Sequence, residues 1–77
     1  MSKAEKALAK ILSGDCDKNV TADEALYALA RTGFVKDGGK GSHQVWRHPD
    51  GRKVVLPIHG KDLKPLYVRQ IRTILSI

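Results

Sequence analysis

The chain has 77 residues, 42% of them hydrophobic, and carries a formal net charge of +6 from 14 lysines and arginines against 8 aspartates and glutamates. That length gives one domain near the lower limit at which a single core suffices, enough to bury two helices against one small sheet. The single Cys16 excludes an internal disulfide and has no partner at metal-ligand spacing, and the lack of any long apolar run excludes a membrane span, so the expectation is a soluble, unexported protein of the reducing cytoplasm.

The charge is unevenly placed. In residues 1–33 five basic groups balance five acidic ones, whereas residues 34–77 carry nine basic groups against Asp37, Asp50 and Asp62, which is the whole of the excess. A basic field of this kind concentrates polyanions and speeds their encounter, largely without sequence preference.

Ala4, Ala7, Leu8, Ile11 and Leu12 recur at helical spacing, and Ser13-Gly14 supplies a stop, so the chain opens with a short amphipathic helix over residues 3–13. Asp15, Asp17 and Asn19 imitate the start of a calcium loop, but Val20 stands at its glycine position and Leu26 at its bidentate glutamate. This stretch therefore reads as a polar linker. Thr21-Ala22-Asp23-Glu24 is a capping box opening a helix from about Ala22 to Thr32, with Ala22, Ala25, Leu26, Leu29 and Ala30 on its apolar face and Gly33 as its stop. The small alanines predict close approach to a sheet.

Three strands follow, at about Phe34–Asp37, Ser42–His48 and Arg52–Ile58. If Pro49-Asp50-Gly51 is a three-residue hairpin loop with Gly51 left-handed, His48 pairs with Arg52, Val45 opposes Val55 and His43 opposes Pro57. Alternation then puts His43, Val45, Arg47, Lys53, Val55 and His59 on one face, and Gln44, Trp46, His48, Val54, Leu56 and Ile58 on the other, apolar face, where Trp46 reads as core. Pro65 opens a last helix to about Leu75 with Val68, Ile71, Ile74 and Leu75 inward and Arg69 and Arg72 outward. Lys61 and Lys64 precede its N-terminus, where amide donors and the helix dipole favour a phosphate. The expected architecture is α+β: a three-stranded antiparallel sheet with the helices on one face.

RNA carries its own nucleophile, the 2′-hydroxyl, so a minimal nuclease needs a base that titrates near neutrality and a cationic clamp. Histidine is that base, and acid–base help of this kind gives roughly 10²–10⁴-fold. His43, flanked by glycine in Lys40-Gly41-Ser42-His43, is the candidate base, His59 the candidate acid, and His48 reads as a turn residue. Arg47 or Lys53 on the same face is placed to stabilise developing charge, and Lys40, Gly41, Ser42, Lys61 and Lys64 to hold RNA. Ser42 and His43 are adjacent on a strand and point to opposite faces, so Ser42 reads as a hydroxyl donor or turn cap. No cofactor and no metal are expected, because no carboxylate cluster has ligand spacing. Two other readings are a non-catalytic RNA-binding module using the same basic surface and a chain that only docks onto a partner protein.

From Ala22 onward the chain resembles the HicA (YcfA-like) family of toxins, mRNA interferases of type II toxin–antitoxin pairs. The resemblance rests on Arg31-Thr32-Gly33-Phe34, Lys40-Gly41-Ser42-His43, Arg47-His48-Pro49-Asp50-Gly51, Val54-Val55-Leu56-Pro57-Ile58-His59 and Leu63-Lys64-Pro65 with Arg69, Ile71 and Leu75. It implies a fold like that of double-stranded-RNA-binding domains, His43 as the catalytic residue, mRNA as substrate, and a HicB-like antitoxin that occludes the site. It divides the chain into residues 1–20, an N-terminal helix and linker, and residues 21–77, a HicA-like α-β-β-β-α domain. Gln44 stands where many members carry a second histidine, and the extra N-terminal helix has no counterpart in the shortest members. That helix is open to three readings: an extension packed on the core, a self-association surface, or part of the antitoxin interface.

Overall fold

The computed structural model describes residues 2–76. Helix α1 spans Lys3–Ser13, a single 3₁₀ turn Asp17–Asn19, α2 Ala22–Arg31, β1 Val35–Lys36, β2 His43–Arg47, β3 Lys53–Pro57 and α3 Pro65–Leu75. The strands form one antiparallel sheet in the order β1-β2-β3. From α2 onward this is the α-β-β-β-α order expected of a fold like that of double-stranded-RNA-binding domains.

The local signals act where they stand in the chain. The Thr21 hydroxyl accepts from the Glu24 amide at 3.1 Å while the Glu24 carboxylate accepts from the Thr21 amide at 2.9 Å, so both partners of the capping box are satisfied. Gly51 has φ 100° and its N–H donates to the His48 carbonyl at 2.9 Å, which closes the hairpin and sets the pairs His43 with Pro57, Val45 with Val55 and Arg47 with Lys53. On β3, Val54 and Leu56 are buried while Lys53 and Val55 are exposed, as alternation requires. Strand β1 is shorter than expected because the Phe34 N–H is taken by the Leu29 carbonyl at the end of α2 (2.9 Å), leaving Phe34 to anchor the core.

The core joins Ala7 and Ile11 of α1, Val20 just before α2, Ala25, Ala28 and Leu29 of α2, Phe34 just before β1, Val54 and Leu56 of β3, Leu63, and Val68 and Ile71 of α3. Each large apolar side chain buried this fully contributes roughly 1.5–3 kcal/mol. Two expectations change. The alanines of α2 bring it close to α1 rather than to the sheet, and the buried arc runs through Ala28 while Ala30 is exposed, because a second helix packs alongside.

Residues 15–20 are not a free polar linker, and Arg72 is not an outward residue. The Arg72 guanidinium turns back over the end of α1, donating to both Asp17 carboxylate oxygens (2.8 and 3.1 Å) and to the Ile11 carbonyl (3.2 Å). Lys10 donates to the Asn19 carbonyl at 2.7 Å and to the Glu24 carboxylate at 3.0 Å, and Val20 is buried. Thr21 forms an antiparallel bridge to Asp62, and the Ala22 N–H donates to the Lys61 carbonyl at 2.7 Å. The segment between α1 and α2 is thus held by α3 on one side and by the β3–α3 loop on the other. No helix among the described residues is long and apolar enough to cross a membrane.

Candidate active site

His43 opens β2, and His59 lies two residues beyond the end of β3, so the register that opposes His43 to Pro57 brings both imidazoles to the same end of the hairpin. They line one cleft of about 650 Å³ with Pro57, Asp62, Leu63, Lys64, Pro65, Tyr67 and Lys18. Both histidines are exposed. Lys64 is the N-cap of α3 and accepts through its carbonyl from the amides of Tyr67 (2.9 Å) and Val68 (3.3 Å), with no side chain capping the helix. Because Pro65 has no N–H, the first free amide of α3 is that of Leu66, whose side chain lines the separate groove between β3 and α3.

Ser42 reaches the site through a route that strand alternation alone did not reveal. Its Oγ lies 3.3 Å from His59 Nε2, so its partner is the histidine on the neighbouring strand end rather than the adjacent His43. The Ile58 N–H donates to the Ser42 carbonyl at 2.7 Å, extending the ladder past its last strand pair and fixing the two residues side by side. With Nε2 of His59 engaged, Nδ1 is its ring nitrogen without a hydrogen bond among the described residues. His43 makes no side-chain hydrogen bond among the described residues.

The other expected residues divide. Lys64 joins the two histidines in the cleft, whereas Lys40, Gly41 and Lys61 sit in exposed loops beside it. The His43 N–H donates to the Lys40 carbonyl at 3.0 Å, so the Lys40-Gly41-Ser42 turn positions the histidine directly. Arg47 and Lys53 are not brought to His43. They pair with each other at the opposite end of the hairpin, roughly 13 Å along the strand at a rise of about 3.3 Å per residue. Arg47 forms an ion pair with Asp37, and Lys53 lines a shallow groove between β3 and α3 with Val55, Leu66 and Arg69.

His48 is a structural histidine. Its Nδ1 accepts from the Asp50 amide and its Nε2 donates to the Thr32 carbonyl, both at 3.1 Å, and its ring meets Phe34 edge-on at 5.1 Å. Trp46 packs half-buried against the core and donates its indole N–H to the Gln44 side chain at 3.1 Å, so Gln44 points away from His43. Lys18 and Tyr67 were not legible as site residues. Among the described residues no group of three or more His, Cys, Asp and Glu side chains lies together as a metal site would require.

A family model described as the HicA toxin of bacterial toxin–antitoxin systems matches residues 22–77. The chain belongs to the HicA toxin family. It is thereby a toxin of the bacterial toxin–antitoxin class, and an antitoxin is its natural partner. The HicA match runs from α2 to the C-terminus and takes in His43, His59, Ser42 and Lys64, while α1 and Lys18 precede it. No curated protein matches the chain, and no solved structure does.

Proposed function

We propose that this HicA toxin is a metal-independent endoribonuclease that cuts mRNA at the His43 cleft and is held inactive by a HicB-like antitoxin covering that cleft. The observation that carries the reading is the pairing of two exposed imidazoles, His43 and His59, in one cleft walled by lysines. Cleavage needs a proton taken at one end of the scissile phosphate and one given at the other. Neutral His43 accepts the proton of the 2′-hydroxyl as its oxygen attacks phosphorus. Protonated His59 gives a proton to the 5′-oxygen as the P–O5′ bond breaks, leaving a 2′,3′-cyclic phosphate and a 5′-hydroxyl. In this reading Lys64, in the cleft wall at the N-terminus of α3, holds the phosphate and the charge that develops on it.

The test is an assay of purified wild type and His43→Ala on single-stranded RNA in EDTA, with the cleaved ends identified and binding followed in parallel. Cutting to cyclic-phosphate ends by the wild type, lost in His43→Ala with binding kept, supports the reading. If both proteins bind and neither cuts, the chain is a non-catalytic RNA-binding module.

A further inference from the structure

Lys18 lies outside the family-matched residues and yet forms part of the cleft that holds His43, His59 and Lys64. Its backbone is held from both sides. Asp17, before it, is gripped by Arg72 at 2.8 and 3.1 Å. Asn19, after it, donates its N–H to the Cys16 carbonyl at 2.8 Å and accepts from Lys10 at 2.7 Å. Val20 is then buried, and Thr21 bridges to Asp62 in the loop that carries Lys61 and Lys64. These contacts leave the Lys18 side chain exposed over the cleft while its Cα is fixed. Among the described residues Lys18 forms no ion pair. The charge of Asp17 is already met by Arg72, and Asp62 is the one carboxylate on the cleft wall.

We infer that Lys18 is a phosphate-binding residue of the nuclease site, supplied by the segment between α1 and α2, and that it holds a phosphate of the bound RNA strand next to the one being cut. The inference rests on the reading of this cleft as an RNA site. Lys18 and Lys64 come to the cleft from different parts of the chain, so a strand bound there meets two cations beside the histidines. Because the 3₁₀ turn is immobilised by the protein itself, binding need order only the side chain, which lowers the cost of the contact. It also gives the N-terminal segment a part in function: α1 and the Asp17–Arg72 pair fix the turn that presents Lys18.

The test uses the full-length chain with His43→Ala, so that RNA is bound but not cut, alone and combined with Lys18→Ala or Lys18→Arg. Affinity for a short single-stranded RNA is measured across a salt series. One phosphate contact contributes about 0.7 to the slope of log K against log salt for a single strand. The expected result is a slope shallower by about 0.7 and weaker binding for Lys18→Ala, with both restored by Lys18→Arg and the melting temperature unchanged. If the parent binds RNA and Lys18→Ala has the same slope and affinity, the inference is overturned while the nuclease reading stands. If the parent itself binds no RNA, the reading of the cleft falls and the inference with it.

Discussion

A methyl group on Gly39 would overlap the backbone carbonyl oxygen of His43, so the closeness of these two residues depends on the absence of a side chain at position 39. Gly39 also has φ 132°, a conformation that L residues avoid, and the Val45 N–H reaches back to the neighbouring Gly38 carbonyl at 3.0 Å. The glycine pair thus folds the β1–β2 loop against the start of β2, where the candidate base stands.

Gly39→Ala should therefore act on His43 as well as on stability. Backbone strain alone costs about 1–3 kcal/mol, and the overlap adds to it by pushing on the His43 backbone. Gly38→Ala is the matched control: φ is 98°, so strain is present, but a Cβ there meets nothing within 4 Å. The expected outcome is a more than tenfold loss of RNA cleavage in Gly39→Ala against a small loss in Gly38→Ala, with a melting temperature lowered further in the first. Equal effects from the two would mean that the contact with His43 does not matter.

What the sequence made legible was whatever a few neighbouring residues decide. The capping box at Thr21, the stop at Gly14 and the Pro49-Asp50-Gly51 loop each act over a handful of positions, and the loop fixed the whole β2–β3 register and with it the opposition of His43 to Pro57. Side-chain alternation identified the face of Arg47 and Lys53 but says nothing of distance along the strand, and that distance separates them from His43. The contacts that complete the cleft are between residues far apart in sequence. Ser42 meets His59 across the end of the sheet, and Lys18 reaches the cleft only because Arg72 and Asp62 hold its flanks. Amphipathic spacing assigned Arg72 to solvent because it could not foresee the Asp17 carboxylate and the free carbonyl at the end of α1.

Helix α1 should prove inseparable from the rest of the fold. Ile11 is fully buried in the cluster that contains Ala25, Leu29, Val68 and Ile71. Truncating such a side chain costs roughly 2–5 kcal/mol, a large part of the 5–15 kcal/mol typical of a whole domain. Ile11→Ala should lower the midpoint of denaturant unfolding in one cooperative transition seen identically by tryptophan fluorescence and far-ultraviolet dichroism. An early transition confined to helix loss, with Trp46 unaffected, would instead show that residues 1–20 behave as a separate unit.

Acid should destabilise the protein through three carboxyls held below their ordinary range. For Asp17 the cause is the Arg72 hydrogen bonds, and for Asp50 it is the Arg52 backbone N–H followed by the Arg52 guanidinium. For Glu24, burial pushes upward but is outweighed by the Thr21 N–H and the Lys10 ammonium. Between its folded and unfolded pKa each group binds more protons in the unfolded chain, so stability rises with pH there. The contribution is complete above the ordinary carboxylate values of about 4 and is lost as pH falls through the lower, folded ones. Thermal melts from about pH 6 downward should show a falling melting temperature below about pH 4. Asp17→Asn should lower the plateau and soften the fall; an unchanged profile would mean that the Asp17–Arg72 pair adds nothing to stability.

The Ser42 hydroxyl, 3.3 Å from His59 Nε2, should matter for turnover and not for binding. If it orients His59 as the acid, Ser42→Ala lowers kcat by about tenfold, a fraction of the 10²–10⁴ that acid–base catalysis supplies, with KM unchanged and recovery in Ser42→Thr. His59→Ala should cost more, and its defect should depend on the leaving group. A phosphodiester with sulfur in place of the 5′-oxygen leaves without needing a proton, so His59→Ala should cut it nearly as fast as wild type while His43→Ala remains defective on both substrates. An equal loss by His59→Ala on both would remove His59 from the acid role and leave its bond to Ser42 as a strut of the sheet end.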